Sequence, residues 1–174
     1  LYVVSWAKFA VIAVLSLTAV VVPSAIPSFV PKFEQLAEWK SPPTVRVCND
    51  APVSKSEVEH ALEFWRSLGY EFGTVIWDDK TGWCRGSTYF GSITIMSNKQ
   101  FLGEEILALT RRRTYNLIIT GARIEISDKG IGKPLLLEHE LGHALGWPHY
   151  RVEGHIMHPI LQKSGIDTFG LQNT

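Results

Sequence analysis

The stretch that decides the fold runs from Glu138 to His158 and reads EHELGHALGWPHYRVEGHIMH. Pro134 opens the segment, and Leu135, Leu136, Leu137, Leu141, Ala144 and Leu145 offer a broad apolar surface, so a buried helix of about three turns is expected. Positions four apart lie one turn up the same helix face, which lets His139 and His143 reach a single metal ion. Glu140 stands about 100° round the helix from the first of them, where it meets a water on the metal rather than the metal itself. That is the position of a general base. Gly146 can end the helix in a left-handed conformation at little cost, and Pro148 reinforces the stop. The chain then turns back so that His149 supplies a third nitrogen. Three neutral imidazoles leave the fourth position of a tetrahedral zinc open, as a catalytic site requires and a closed structural site does not.

Two histidines and a glutamate at this spacing also arise by chance on exposed helices. Here they come with a helix-ending Gly, a third His, an apolar helix to bury them and a downstream Met. His139 to His149, HELGHALGWPH, fits HExxHxxGxxH, and on these residues the chain resembles the metzincin clan of zinc endopeptidases. The resemblance implies that His155-Ile156-Met157-His158-Pro159 is the clan's tight Met-turn, with Met157 a soft apolar floor and not a ligand. LEHELGHALG and IMHP are, within the clan, most similar to the matrixins.

That similarity implies an α+β, zincin-like domain: a twisted mixed sheet of about five strands, a backing helix, an active-site helix and a small, truncated C-terminal subdomain. Asp167, Gly170 and Gln172 match only the start of the family's C-terminal helix. It also implies an edge strand that pairs with an extended substrate, for which Ile106 to Arg111, with Leu107, Ala108 and Leu109 at its centre, is the best-placed candidate. A pocket walled by Pro159, Ile160 and Leu161 would then favour an apolar residue just after the cut. Departures from the family are Tyr150, where Ser is usual, and Trp147-Pro148 before the third His. No PRCGxPD-like segment is present, so latency through a zinc-bound propeptide cysteine is not indicated. His155 and His158 are read as structural or substrate-facing, because the metal already has three ligands.

Outward from this stretch, Ala122 to Ile126 (ARIEI) alternates as a half-buried strand does. Phe101 to Arg113 fits a short helix or a strand and is read as a strand leading into a turn at Thr114 to Asn116. The run Arg111-Arg112-Arg113 is read as a solvated turn rather than a steering patch. Phe72 to Trp77 and Ser92 to Met96 read as strands around a turn-rich stretch, Asp78 to Gly91. Asp78 and Asp79 fit a turn better than a calcium site, and calcium stays undecided. Ser54 and Glu57 make a capping box for a helix over 54–68, with Val58, Ala61, Leu62 and Trp65 on one face and Gly69 as its stop. His60 falls on its polar side and is read as solvated. Thr44 to Cys48 (TVRVC) reads as the first strand. Cys48 and Cys84 either join in one disulfide, worth roughly 3 to 4 kcal/mol, or stay as two thiols; neither belongs to a CxxC pair.

The 174 residues carry 17 basic and 17 acidic side chains, 45% hydrophobic and 11% aromatic residues. A neutral, aromatic-rich chain of this length suits one folded domain and argues against disorder and against a broad nucleic-acid footprint. Lys8 is the only charge in residues 1–31. Phe9 to Val22 has the layout of a signal peptide, and the apolar stretch back to Leu1 is close to bilayer-spanning length, so residues 1–25 are a signal peptide or a membrane anchor. Residues 26–43 read as a Pro-rich tether with a short amphipathic piece at Phe33 to Trp39, and 44–174 as the catalytic domain. The expectation is an exported or anchored zinc endopeptidase that uses Glu140 as base and touches the membrane only if residues 1–22 stay uncleaved. The alternatives are a membrane-tethered, zinc-stabilised binding module without turnover, and a deformylase-like hydrolase, against which His149 argues.

Overall fold

The structure, a computed structural model, describes residues 33–79, 84, 90–98 and 106–173. Residues 1–25, expected to be a signal peptide or anchor, most of the turn-rich stretch after Asp79, and the start of the Phe101 to Arg113 region lie outside these residues.

The strands are β1 (Glu38–Trp39), β2 (Thr44–Cys48), β3 (Val75–Asp79), β4 (Ser92–Ser97), β5 (Ala108–Tyr115) and β6 (Ile118–Ile126), and the helices are α1 (Lys55–Arg66) and α2 (Leu136–Leu145). β3, β2, β4 and β6 lie side by side and parallel, while β5 returns antiparallel along the outer edge of β6. β1 runs parallel to the start of β6, with Glu38 opposite Ile118. The sheet is therefore mixed, as expected, with six strands rather than about five. The additional strand comes from the segment read as a tether: residues 33–43 are bound into the domain.

Inward-facing Val45, Val47, Ile93, Ile95, Ala122, Ile124 and Ile126 form one core with Val58, Ala61, Leu62 and Trp65 of α1 and Leu136, Leu137 and Leu141 of α2. Period-2 burial on the strands and 3.6-period burial on α1 thus meet in a single layer interface. The α1 capping box forms as read: Glu57 N–H donates to Ser54 Oγ at 3.2 Å, and Ser54 N–H to Glu57 Oε2 at 2.7 Å. Cys48 and Cys84 are disulfide-bonded, which decides between the two alternatives.

The arginine run is corrected. Arg111, Arg112 and Arg113 belong to β5 and not to a turn. Arg111 and Arg123 both pair with the buried Glu125 at 2.6 Å, and Asn98 donates to it as well. The turn lies at Asn116-Leu117, later than the expected Thr114 to Asn116, with φ of 49° and 63°. Two consecutive left-handed residues make the tight hairpin connection whose twist matches its strands. Asp78 and Asp79, expected in a turn, close β3. Among the described residues no α-helix follows α2, and none is long and apolar enough to cross a membrane.

Gly142 shows how closely α2 is packed. A Cβ there would collide with Met157 Sδ and come within 2.7 Å of the Trp65 ring. Gly142→Ala is therefore expected to destabilise the fold by about 1 to 3 kcal/mol, the range for overpacking. Denaturant titration of the zinc-free protein would measure it, and an unchanged midpoint would mean that Met157 and Trp65 yield without cost.

Candidate metal centre and cleft

His139 and His143 are placed by α2. Its first turn starts at Leu135 with φ 62° and no side-chain cap, and its last residue hands over to Gly146 at φ 115°. Gly is required there twice, by the backbone angle and because a Cβ would run into the carbonyl of Ala37. Four carbonyls at a helix end normally lack partners. Here His143 O accepts from Arg112 Nη1 at 2.6 Å, Ala144 O from Trp39 Nε1 at 3.0 Å, Leu145 O from Gln35 Nε2 at 2.5 Å and Gly146 O from Leu36 N–H at 3.0 Å. Three of these donors come from residues 35–39. The supposed tether is a strap that finishes the helix.

Beyond Gly146 the chain doubles back. Trp147 is buried and its indole donates to Tyr70 Oη at 2.8 Å, which explains an unusual residue so near the third His; burial pushes that phenol up to about 12. Tyr150 N–H donates to Met157 O at 2.8 Å, and His158 N–H to His155 O at 3.0 Å. The tight turn expected around Met157 is thus present, with Met157 fully buried against α2.

His139 Nε2 lies 3.2 Å from His149 Nε2, and His143 Nε2 lies 2.9 Å from it. The outer nitrogens of His139 and His143 are occupied: Nδ1 of His139 donates to Ile156 O and Nδ1 of His143 to Trp147 O, each at 2.8 Å. Those bonds fix the tautomer that leaves Nε2 as a lone pair. Burial, before all else, holds His139 down at about 4 and His143 at about 3, and it lowers His149 as well. All three rings are neutral near pH 7. Nitrogens at about 2.0–2.1 Å from a tetrahedral zinc stand about 3.3 Å apart, so this donor set suits zinc. His139, His143 and His149 are the one group of metal-competent side chains found among the described residues.

Glu140 is buried beside them and is not among those donors. Burial raises its carboxyl to about 7, partly offset by the Thr110 hydroxyl, which donates to Oε2 at 2.5 Å. The other oxygen is left to accept a proton. Sequence reading missed Thr110 and Arg112. Both point from β5 towards α2, and only the strand register puts them there. Thr110→Val is expected to lower kcat about tenfold with little change in KM, while Thr110→Ser keeps most activity, because one hydrogen bond to a charged group is worth about 1.5–3 kcal/mol. Equal loss in both variants would assign the effect to packing instead.

A cleft of about 1010 Å³ runs over this group, lined by His139, Glu140, His143 and His149 and by Leu107, Ala108 and Leu109, with His158, Pro159, Ile160 and Leu161 on the far wall. Leu107, Ala108, Leu109, Pro159, Ile160 and Leu161, read as substrate-facing, line this one cavity, whereas Arg111 and His155 do not. Met157 is not among the residues that line the cavity and packs against Gly142 instead. His158 faces the cleft, whereas His155 is structural: its Nδ1 accepts from Met157 N–H at 3.0 Å and its Nε2 donates to Phe169 O at 3.2 Å. His60 is exposed yet not merely solvated, since Nδ1 sits 2.9 Å from the buried Glu138 carboxylate.

Residues 57–174 match the family model described as Matrixin. No curated protein matches the chain.

Proposed function

Because the chain belongs to the matrixin family, we propose that it is a zinc-dependent endopeptidase that cuts extended protein segments, with His139, His143 and His149 holding the metal and Glu140 acting as general base. The observation that carries the reading is the convergence of three neutral Nε2 atoms beside a buried, singly engaged carboxylate, below a strand whose outer edge pairs with no other strand among the described residues. When bound, zinc would polarise the scissile carbonyl and lower the pKa of a water.

The remaining work falls to the chain. Among the described residues no strand covers the outer edge of β5, and an extended peptide can meet its backbone groups there as an added strand. Ile160 and Leu161 supply an apolar wall for the side chain after the cut. Thr110 holds Oε2 of Glu140, so the other oxygen takes the proton from the attacking water and passes it to the leaving nitrogen. Export or membrane anchoring belongs to the same proposal; the uncharged Phe9 to Val22 run and the Cys48–Cys84 disulfide support it.

The test incubates the zinc-loaded chain with an unfolded protein and sequences the new termini. Internal cuts followed by apolar residues are expected. Failure to cut any unfolded protein, with one zinc bound, would overturn the reading.

A further inference from the structure

The hairpin that joins β5 to β6 breaks two local rules at one residue. Leu117 occupies the second left-handed position of the turn, φ 63°, where Gly is the favoured residue, and it is 73% exposed. A large apolar side chain is thus held in a strained backbone and shown to solvent. Strain of this kind costs about 1 kcal/mol or more and persists where something else requires it.

Its surroundings indicate what that is. Glu38 N–H donates to Leu117 O at 3.0 Å, and Leu36 N–H to Gly146 O at 3.0 Å, so the strap is pinned on both sides of Ala37. Leu36, 54% exposed, and Leu117 thereby become walls of a recess of about 320 Å³ whose polar floor includes Thr110, Arg112 and Thr114. Thr110 and Arg112 also line the main cleft. The recess shares these two β5 residues with the cleft and extends past them to Thr114 and the Leu117 turn, which do not line the cleft.

Resting on the endopeptidase reading, we propose that Leu36 and Leu117 form a distal subsite that seats an apolar substrate side chain well upstream of the scissile bond. A peptide antiparallel to β5 lays its C-terminal part over Leu107 and its N-terminal part over Thr114. Thr110 touches Glu140, and Thr114 lies four residues along the strand, about 13 Å at 3.3 Å per residue. The seated side chain belongs to a residue about four positions before the cut, within one either way.

The experiment compares nested peptides that share one sequence after the cut. One begins two residues before it, and longer ones extend to six with Leu or Asp at each added position. The full, zinc-loaded chain should show a long-to-short ratio of kcat/KM of about tenfold or more for Leu at one position, and none for Asp. Leu117→Asn and Leu36→Ser should bring that ratio close to one. Leu117→Asn should also raise the melting temperature, because Asn tolerates the left-handed turn; this separates loss of the subsite from loss of the fold. A ratio that survives both substitutions, or a gain confined to extensions after the cut, overturns the proposal. A chain that cuts no peptide overturns the endopeptidase reading instead. The subsite is then judged by fluorescence anisotropy of the same peptides on Glu140→Ala protein, where equal affinity for long and short peptides overturns it.

Discussion

Glu140→Ala is expected to lose peptide turnover by about 10² to 10⁴-fold, the usual contribution of a positioned acid–base group, while keeping one zinc per chain. The separation of the two effects follows from geometry. The proposed metal donors are the Nε2 atoms of His139, His143 and His149, the first two held from behind by Ile156 O and Trp147 O, and Glu140 contributes to none of these bonds. The substitution leaves the Thr110 hydroxyl an acceptor, because Glu140 O already lies 3.2 Å from it. Zinc content by atomic absorption and cleavage of an unfolded protein, measured on the same preparation, check both halves. Wild-type turnover in the variant would remove Glu140 from the mechanism. Zinc without turnover in both proteins would favour a zinc-stabilised binding module.

His149→Ala is expected to weaken zinc binding by more than about 100-fold, since loss of a mere supporting hydrogen bond to a ligand typically costs 10 to 100-fold. His149 is the one proposed ligand off the helix, and it is exposed where His139 is buried. The variant should therefore fold. Its apo form should melt where the wild-type apo form melts, and only the rise in melting temperature on adding zinc should shrink, because a ligand stabilises the state that binds it. A chelator competition series gives the affinity. Unchanged zinc occupancy would reject His149 as the third ligand.

How much of this was legible in the chain differs by the range over which each cause acts. Local causes were readable. Ser54 and Glu57 cap α1 within one turn, Gly146 ends α2 by its own backbone freedom, and the spacing of His139 and His143 is a property of any helix. The parallel strands β2, β3, β4 and β6 were read from their residue types and, in β6, from alternation; β2 keeps its ends and the others moved by a few residues. Causes that act across the sheet were not readable. Thr110 and Arg112 look like any polar residues in a strand, and their bonds to Glu140 and His143 exist because β5 is registered antiparallel on β6 beside α2. The arginine run looked like a turn since three adjacent charges carry no period, and Glu125, which accounts for Arg111, is fourteen positions away. The turn itself was shifted because Leu117 is contrary to ordinary turn chemistry. The prolines at 42 and 43 suggested an open tether, and nothing local in Gln35 to Trp39 reveals that its donors fit the end of a distant helix.

That strap has a consequence for how the protein is made. Its donors Gln35 and Trp39 precede the carbonyls they satisfy by 110 and 105 residues. A ribosome releases the strap early and the ligand-bearing helix late, and contacts of such separation close slowly because the loop entropy must be met first. The scaffold of β2, α1 and β4 can assemble while the end of α2 is still bare, so the metal-holding geometry matures last. A nascent chain therefore passes through synthesis, and through any export that unfolds it, without an assembled hydrolytic centre. The proposed hydrolytic centre is complete only when Gln35 and Trp39 have met the end of α2.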